Sequence, residues 1–418
     1  MSNIPLIDLY PANELIRTSV RKEMAEIVGS SQFIGGEAVK KLEHLFCSKG
    51  RDTKALSVNS GTDALYIGFK TIQRIMKWDP CIVVVPSFTY NATADAAVRA
   101  VGAGNVVLAD VSRKTFMLET QSVLDAVQKA ILVNSANGVR VDEHGGFIIC
   151  PVHLYGGVCT NLTSLRKRLR EEFPDQKFSI LEDCAQSQGS VGRAKGLSRD
   201  ESEVGSAGDA SAYSFFPTKN FGAWGDGGML TFQRNMTFEV DVAWREAWAL
   251  AHHGCYPENK YLSYTIGTNS RMDALQAVVV RQKMEVGRYD YPSGRRRVYE
   301  TYKRVLEEMG LPVRIVTCAG AYHSHKAHPS LMIIEFEQER VRGEVYVKFK
   351  LQELNQAIYY QTPLHLQPAF AECLRSDVMS GSLSASQQSL ALPFYYGMAD
   401  EQVTEVCKNL RRAIENAY

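Results

Sequence analysis

The feature that most constrains this chain is a series of short apolar runs without apolar/polar alternation. They fall at residues 54–58, 82–85, 106–110, 147–151, 178–182 and 210–215, with helix-patterned stretches such as 64–75 and 92–100 between them. An unalternating run is what a strand needs when both faces are covered, and intervening helices are how parallel strands are connected. The expected fold class is therefore α/β, with a large, mostly parallel sheet sandwiched by helices. After about residue 285 the texture changes. Residues 298–309, 345–355 and 401–417 read as helices and 331–336 as a strand, while the serine-rich stretch 380–389 reads as a loop. These point to a smaller C-terminal α+β domain. The expected organisation is an N-terminal arm over 1–20, a large domain over 21–265 and a small domain over 266–418.

Composition narrows the function classes. The length of 418 residues, with 45% apolar and 22% charged residues, excludes disordered and fibrous classes. Forty-seven basic against 46 acidic residues leave a net charge of +1, so no whole-molecule field draws nucleic acid or an anionic membrane. No apolar run approaches the roughly 20 residues of a membrane span, and the first ten residues lack the pattern of a secretory signal. A soluble, cytoplasmic protein is expected. Nine scattered cysteines without a C-x-x-C pair read as reduced, mostly buried thiols. On the same ground, the N-x-T triplets at Asn91, Asn161 and Asn235 carry no meaning. The histidine-rich stretch containing His323, His325 and His328 lacks neighbouring Cys or Asp, and reads as a loop rather than a metal site.

Ligands of open α/β sheets bind beyond the carboxyl ends of the strands. The first strand is followed by Ser60-Gly61-Thr62-Asp63 at a helix start, which suits a phosphate or serves as a simple N-cap. Beyond the second lies Pro86-Ser87-Phe88-Thr89-Tyr90, where an aromatic either stacks on a planar ligand or joins the core. Asp183 ends the strand at 178–182, and a carboxylate there needs a cation or a capping role. Residues 210–215 run into Phe216-Pro217-Thr218-Lys219-Asn220, where a desolvated lysine can form a Schiff base, although most lysines are surface residues. Each signal alone is weak. A phosphate cradle, a stacking aromatic, a buried carboxylate and a lysine at strand ends of one sheet together match the needs of pyridoxal 5′-phosphate, PLP.

The chain resembles the DegT/DnrJ/StrS family of sugar aminotransferases, a branch of the fold-type-I PLP enzymes. The matching stretches, in the family's order, are Ser60-Gly61-Thr62-Asp63-Ala64-Leu65, Pro86-Ser87-Phe88-Thr89-Tyr90, Val152-His153-Leu154-Tyr155-Gly156, Glu182-Asp183-Cys184-Ala185-Gln186, Ser214-Phe215-Phe216-Pro217-Thr218-Lys219-Asn220 and Gly267-Thr268-Asn269-Ser270-Arg271-Met272. Thr362-Pro363-Leu364-His365 and Leu392-Pro393-Phe394-Tyr395 fit as well. The resemblance implies an aspartate-aminotransferase-like, seven-stranded type of sheet. It also implies that Lys219 is the Schiff-base and proton-carrying lysine, that Asp183 partners the pyridinium nitrogen, and that Gln186 contacts the ring hydroxyl. By the same resemblance Tyr90 stacks on the ring, and Gly61, Thr62 and Ser214 cradle the phosphate. Asn269 and Arg271 reach the neighbouring subunit's phosphate and substrate sites, which implies a homodimer, and His365 belongs to the substrate site.

Several positions depart from the family pattern. Cys184 stands where an alanine is usual, the run Trp248-Ala249-Leu250-Ala251-His252-His253-Gly254 lacks the usual arginine, and Tyr359-Tyr360-Gln361 replaces a His-Tyr-Pro segment. The implied activity is amino transfer from an amino acid, L-glutamate by expectation, to a nucleotide-linked 3- or 4-keto-deoxysugar, with a slight lean towards C3. A non-nucleotide cyclic ketone as acceptor, or a non-catalytic regulatory role on the same fold, remain the alternatives. Lysine rather than histidine at 219 favours amino transfer over dehydration.

Overall fold

The computed structural model describes residues 4–47, 53–159, 162–193, 201–233, 237–285, 287–319, 327–351, 355–415 and 417. His323 and His325 lie outside them, as do Asn161 and Asn235. Among the described residues no helix is long and apolar enough to cross a membrane. All nine cysteines are free thiols, and seven of them are buried.

The strands are, in chain order, β1 Thr53–Val58, β2 Cys81–Pro86, β3 Val106–Ala109, β4 Gly146–Ile149, β5 Phe178–Asp183, the short pair β6 Val191–Arg193 and β7 Glu201–Glu203, then β8 Ala210–Ser214 and β9 Gly228–Gln233. They are followed by the hairpin β10 Cys255–Tyr256 with β11 Asn259–Ser263, and by β12 Val313–Ile315, β13 Met332–Phe336, β14 Leu374–Arg375 and β15 Ser389–Leu392. The large sheet has eight strands in the order β1-β9-β8-β5-β4-β2-β3-β14. Pairings from β14 through β3, β2, β4 and β5 to β8 are all parallel. β9 runs against both its neighbours, β8 and β1. The expected α/β sheet is therefore present, with β14 as an eighth, two-residue edge strand. The carboxyl ends of β1, β2, β5 and β8 consequently face one edge, where the candidate residues begin.

Burial follows the run pattern. Every residue of β2 is buried, because helices cover both faces: Leu65, Ile67 and Ala97 lie in the core on one side, Val123, Val127 and Leu165 in the core on the other. The three-stranded antiparallel sheet β12-β13-β15 forms its own core with the helices Gly287–Glu308, Glu339–Leu351 and Asp400–Glu415. Ala274–Glu285 packs its apolar residues Val278 and Val279 with Val20 and Ile27 of the helix Arg17–Ser30.

One expectation is corrected. The serine-rich stretch read as a loop is a helix, Ser380–Gln388, running directly into β15. Serine disfavours helix interiors because its hydroxyl competes for backbone partners. Here those hydroxyls are absorbed within the helix: Ser386 donates to Leu383 O at 2.8 Å and Ser389 to Ala385 O at 2.6 Å. The orphan amides of the first turn find a remote carboxylate. Asp110, just past β3, accepts from Gly381 N–H at 2.8 Å and from both Ser382 N–H and Ser382 Oγ–H at 2.7 Å. Asp110→Ala leaves these buried donors unsatisfied and should lower unfolding stability by about 1–3 kcal/mol, read as a reduced denaturant midpoint at unchanged slope.

Candidate active site

The helix Gly61–Met76 starts one residue after the loop leaving β1, with Ser60 extended at its N-cap and Ser60 Oγ accepting from Asp63 N–H at 3.1 Å. The first-turn amides of Gly61 and Thr62 are orphan donors by helix geometry, at the positive end of the helix dipole. Gly61 is required there. A Cβ on it would stand 2.6 Å from Ser214 Cβ, so the helix end and the carboxyl end of β8 close on one another only through glycine. Gly228 serves the same approach, since its Cβ would lie 2.3 Å from Ser60 O. The structure thus brings the Gly61-Thr62 helix start against Ser214, and first-turn backbone donors at such a place suit a phosphate.

Asp183 closes β5 and is buried. Its Oδ2 accepts from Thr93 Oγ1–H at 2.9 Å and its Oδ1 from Ala185 N–H at 3.1 Å. Burial pushes its carboxyl above the ordinary value, opposed by the Ala185 and Thr93 hydrogen bonds and by the nearby charge of Lys219. Lys219 shows the complementary effect: burial pushes its amine below the ordinary value while Asp183 pulls it back up. The loop carrying Lys219 is pinned by Lys219 N–H to Phe216 O at 2.8 Å and Gly222 N–H to Lys219 O at 3.0 Å. Asn220 reinforces it by donating through Nδ2 to Gln188 O and His328 O. Lys283, itself buried and pushed down to about 8, donates to Gly222 O at 2.6 Å.

Behind Asp183 lies a second buried pair. His153 accepts Cys159 N–H at Nδ1, which leaves the proton on Nε2 to donate to Glu182 at 2.9 Å. Burial pushes the Glu182 carboxyl up. The bonds from His153, Gly208 and Ala207 outweigh that and leave it below the ordinary value. His153, Glu182 and Cys184 offer ligand atoms within 4.8 Å of one another. The imidazole lone pair and the carboxylate are already engaged by the chain's own donors, which accounts for the cluster without a metal.

Gln186 uses both ends of its amide: Oε1 accepts from Tyr155 N–H at 3.2 Å and Nε2 donates to Tyr360 Oη at 2.7 Å. Tyr90 is exposed, its ring 6.0 Å from that of Tyr360. His365 bonds through Nδ1 to Ser87 Oγ at 2.6 Å, which ties the Pro363-Leu364-His365 segment to the stretch leading to Tyr90. Past Tyr90 opens a cleft of about 420 Å³ lined by Asn91, Tyr360, Gln361, Thr362 and Gln367.

Asn269 and Arg271 pair with each other. Arg271 donates to Asn269 Oδ1 through Nε at 3.0 Å and Nη2 at 2.6 Å, and no hydrogen bond among the described residues joins either to Lys219, Asp183 or Gln186. Between them Ser270 donates to Asp63 Oδ2 at 2.7 Å, docking the segment on the cradle helix. Where the usual arginine is missing, His252 stacks on Trp248 at 3.8 Å and 7°. Burial pushes His252 down to about 4, so it is neutral at pH 7. His328 is buried and neutral too, its Nδ1 donating to Gln188 O at 2.6 Å.

Thr93 and Tyr360 were not among the sequence candidates. Thr93 sits one turn into the helix Asn91–Val101, three residues after Tyr90, the one local signal that it shares Tyr90's end of the sheet. Tyr360 comes from a segment distant in sequence, and only its neighbourhood to the Pro-x-His motif pointed to it.

Cradle, buried carboxylate and amine fit PLP in donor set and in shape. The model of the DegT/DnrJ/EryC1/StrS aminotransferase family matches residues 14–411. The chain is 29% identical to the UDP-N-acetyl-3-dehydro-alpha-D-glucosamine 3-aminotransferase of Acidithiobacillus ferrooxidans, over 98% of each chain. It is equally identical, 29% over 98% of each chain, to a pleiotropic regulatory protein of Geobacillus stearothermophilus. Among solved structures it is similar to Streptomyces venezuelae DesV in complex with a ketimine intermediate, at a TM-score of 0.78 and 26% identity over 99% of this chain and 98% of that one. The chain belongs to the DegT/DnrJ/EryC1/StrS aminotransferase family and is a pyridoxal-phosphate-dependent aminotransferase.

Proposed function

We propose that this enzyme moves an amino group from L-glutamate to a nucleotide-linked keto-deoxysugar, at C3 in preference to C4, and works as a homodimer with shared sites. The observation that supports the acceptor class is the cleft beyond Tyr90, where the hydrogen-bonding side chains of Asn91, Gln361, Thr362 and Gln367 stand among the rings of Tyr90 and Tyr360 and the apolar Pro368 and Ala369. Amide and hydroxyl groups suit a ligand rich in hydroxyls. Relatives named for 3-amino products of dTDP-sugars and of a UDP-sugar support the position and the nucleotide linkage. For the dimer, Tyr261, Leu262, Tyr264 and Ile266 are exposed on and after the β10-β11 hairpin, close in sequence to Asn269 and Arg271. An apolar patch of this kind is more commonly covered by a partner than left in water.

When bound, PLP supplies an aldehyde that takes an amine and a ring that accepts electrons. The chain's part is positional and protonic. Gly61, Thr62 and Ser214 anchor the phosphate, Asp183 supplies a fixed negative charge at the ring nitrogen, and Tyr90 covers the ring face. Lys219, desolvated and beside Asp183, holds a proton at Nζ and moves it to and from the substrate carbon. Asn269 and Arg271 complete the partner's site.

The experiment is a spectrum of the purified holoenzyme before and after L-glutamate, followed by dTDP- and UDP-linked 3-keto and 4-keto sugars. The cofactor band should disappear with glutamate and return with a 3-keto acceptor. Return only with free cyclic ketones would replace the acceptor class. A band that moves with no amino donor would favour the regulatory reading that the Geobacillus relative's name suggests.

A further inference from the structure

Tyr360 has no role in the reading above beyond lining the cleft, yet among the described residues it is the cleft side chain hydrogen-bonded to the candidate cofactor residue Gln186. Its phenol oxygen accepts from Gln186 Nε2 at 2.7 Å, and an oxygen that accepts there keeps its own O–H to donate elsewhere. The ring is fixed from several directions: Phe88 meets it edge-on at 5.9 Å and Tyr90 lies tilted at 6.0 Å. The adjoining carbonyl of Tyr359 accepts from Tyr155 Oη–H at 2.5 Å. Downstream, Leu364 N–H donates to Ser87 O at 2.7 Å and Gln367 Nε2 to Asn91 Oδ1 at 3.2 Å, so the whole segment is fastened to the Tyr90 stretch. Burial raises the Tyr360 hydroxyl's pKa, as do the charges of Asp183, Tyr359 and Tyr90, against the Gln186 bond that lowers it. The group therefore stays protonated throughout the working pH range.

Gln186 is spent at Oε1 on Tyr155, so only Nε2 remains to it as a donor, and one of that nitrogen's two hydrogens goes to Tyr360. We propose that Tyr360 is a further cofactor-contacting residue, donating its O–H to the ring-hydroxyl oxygen alongside Gln186 and joining the wall of the acceptor cleft to the cofactor itself. This rests on the placing of the ring hydroxyl at Gln186. Two donors on one oxygen favour its anionic form, which lowers the pH at which the bound cofactor loses its proton. Occupation of the cleft, by shifting Tyr360, would then be felt by the cofactor before any chemistry.

The test is a spectrophotometric pH titration of substrate-free holoenzyme, wild type against Tyr360→Phe, a change that removes only the hydroxyl. The midpoint of the visible band should rise by about one pH unit, a tenfold change in proton affinity. An unchanged midpoint would overturn the proposal. In a Gln186→Ala background Tyr360→Phe should raise the midpoint further. No further rise would show that Tyr360 acts only by holding Gln186, which also overturns it. Tyr360→His, which keeps a ring N–H donor, should bring the midpoint back towards wild type. Failure of the underlying cofactor reading is distinguishable, since wild type would then show no visible band to titrate.

Discussion

Lys219→Ala should abolish amino transfer while leaving the fold intact and the cofactor reversibly bound. The loop around Lys219 is held by groups the substitution does not touch: the backbone bonds Lys219 N–H to Phe216 O and Gly222 N–H to Lys219 O, the Asn220 anchors, and Lys283 on Gly222 O. Removing the amine takes away its desolvation penalty but also the charge that offsets the burial of Asp183, so the unfolding temperature should change little. On the proposed function, what is lost is the covalent anchor and the proton carrier. The second alone is worth roughly 10²–10⁴-fold in rate, and small exogenous amines should restore a fraction of it. Phosphate binding through Gly61, Thr62 and Ser214 should persist, so PLP still associates but is removed by dialysis. The pH dependence has a fixed sign. The neutral amine is the reactive form, so PLP uptake by apo wild type should speed up as pH rises, with a midpoint below the ordinary lysine value. Retention of wild-type turnover by the alanine variant would remove Lys219 from the chemistry.

Parallel strands were legible because burial on both faces leaves a direct trace: Ile82-Val83-Val84-Val85 has no polar residue to place in water, and none of the four is exposed. The candidate site was drawn from a related reason, since ligands gather where such strands end: Asp183 is the last residue of β5, and the stretch to Lys219 begins at Ser214, the last residue of β8. Three features were not legible, two of them because the partner lies far along the chain. β9 begins at a glycine at the end of a glycine-rich stretch, which hides its start, and runs antiparallel to β1 and β8 on either side. The helix Ser380–Gln388 is started by Asp110, some 271 positions away. Tyr360 reaches Gln186 across 174 positions. Local propensity carries no trace of such contacts, and in the serine helix it pointed the opposite way.

Asp183→Asn should retain the fold but lose most of the turnover. The amide can keep one of the two bonds, its Oδ1 accepting from Ala185 N–H. Its Nδ2 then faces Thr93 Oγ1, which can turn its hydroxyl towards Thr89 Oγ1, 3.3 Å away, and accept instead. The hydrogen bonds are thus largely preserved, and the change isolates the charge. Without it, nothing at the end of β5 favours a proton on the ring nitrogen, and an unpaired buried cation costs about 3–5 kcal/mol. Part of that reaches the transition state, so turnover should fall by roughly 10²–10³-fold while KM for the amino donor changes little. A second consequence follows at Lys219. Asp183 is the charge that pulls the lysine's pKa up against burial, so in apo Asp183→Asn the amine should titrate lower still, and the midpoint of PLP uptake should move to lower pH. The two variants therefore shift opposite quantities: the lysine variant leaves ring protonation in place and removes the amine, while the asparagine variant makes the amine neutral more readily and removes the charge that makes its product useful. A fall in turnover of less than tenfold, or an uptake midpoint that moves to higher pH, would show that Asp183 does not face the ring nitrogen.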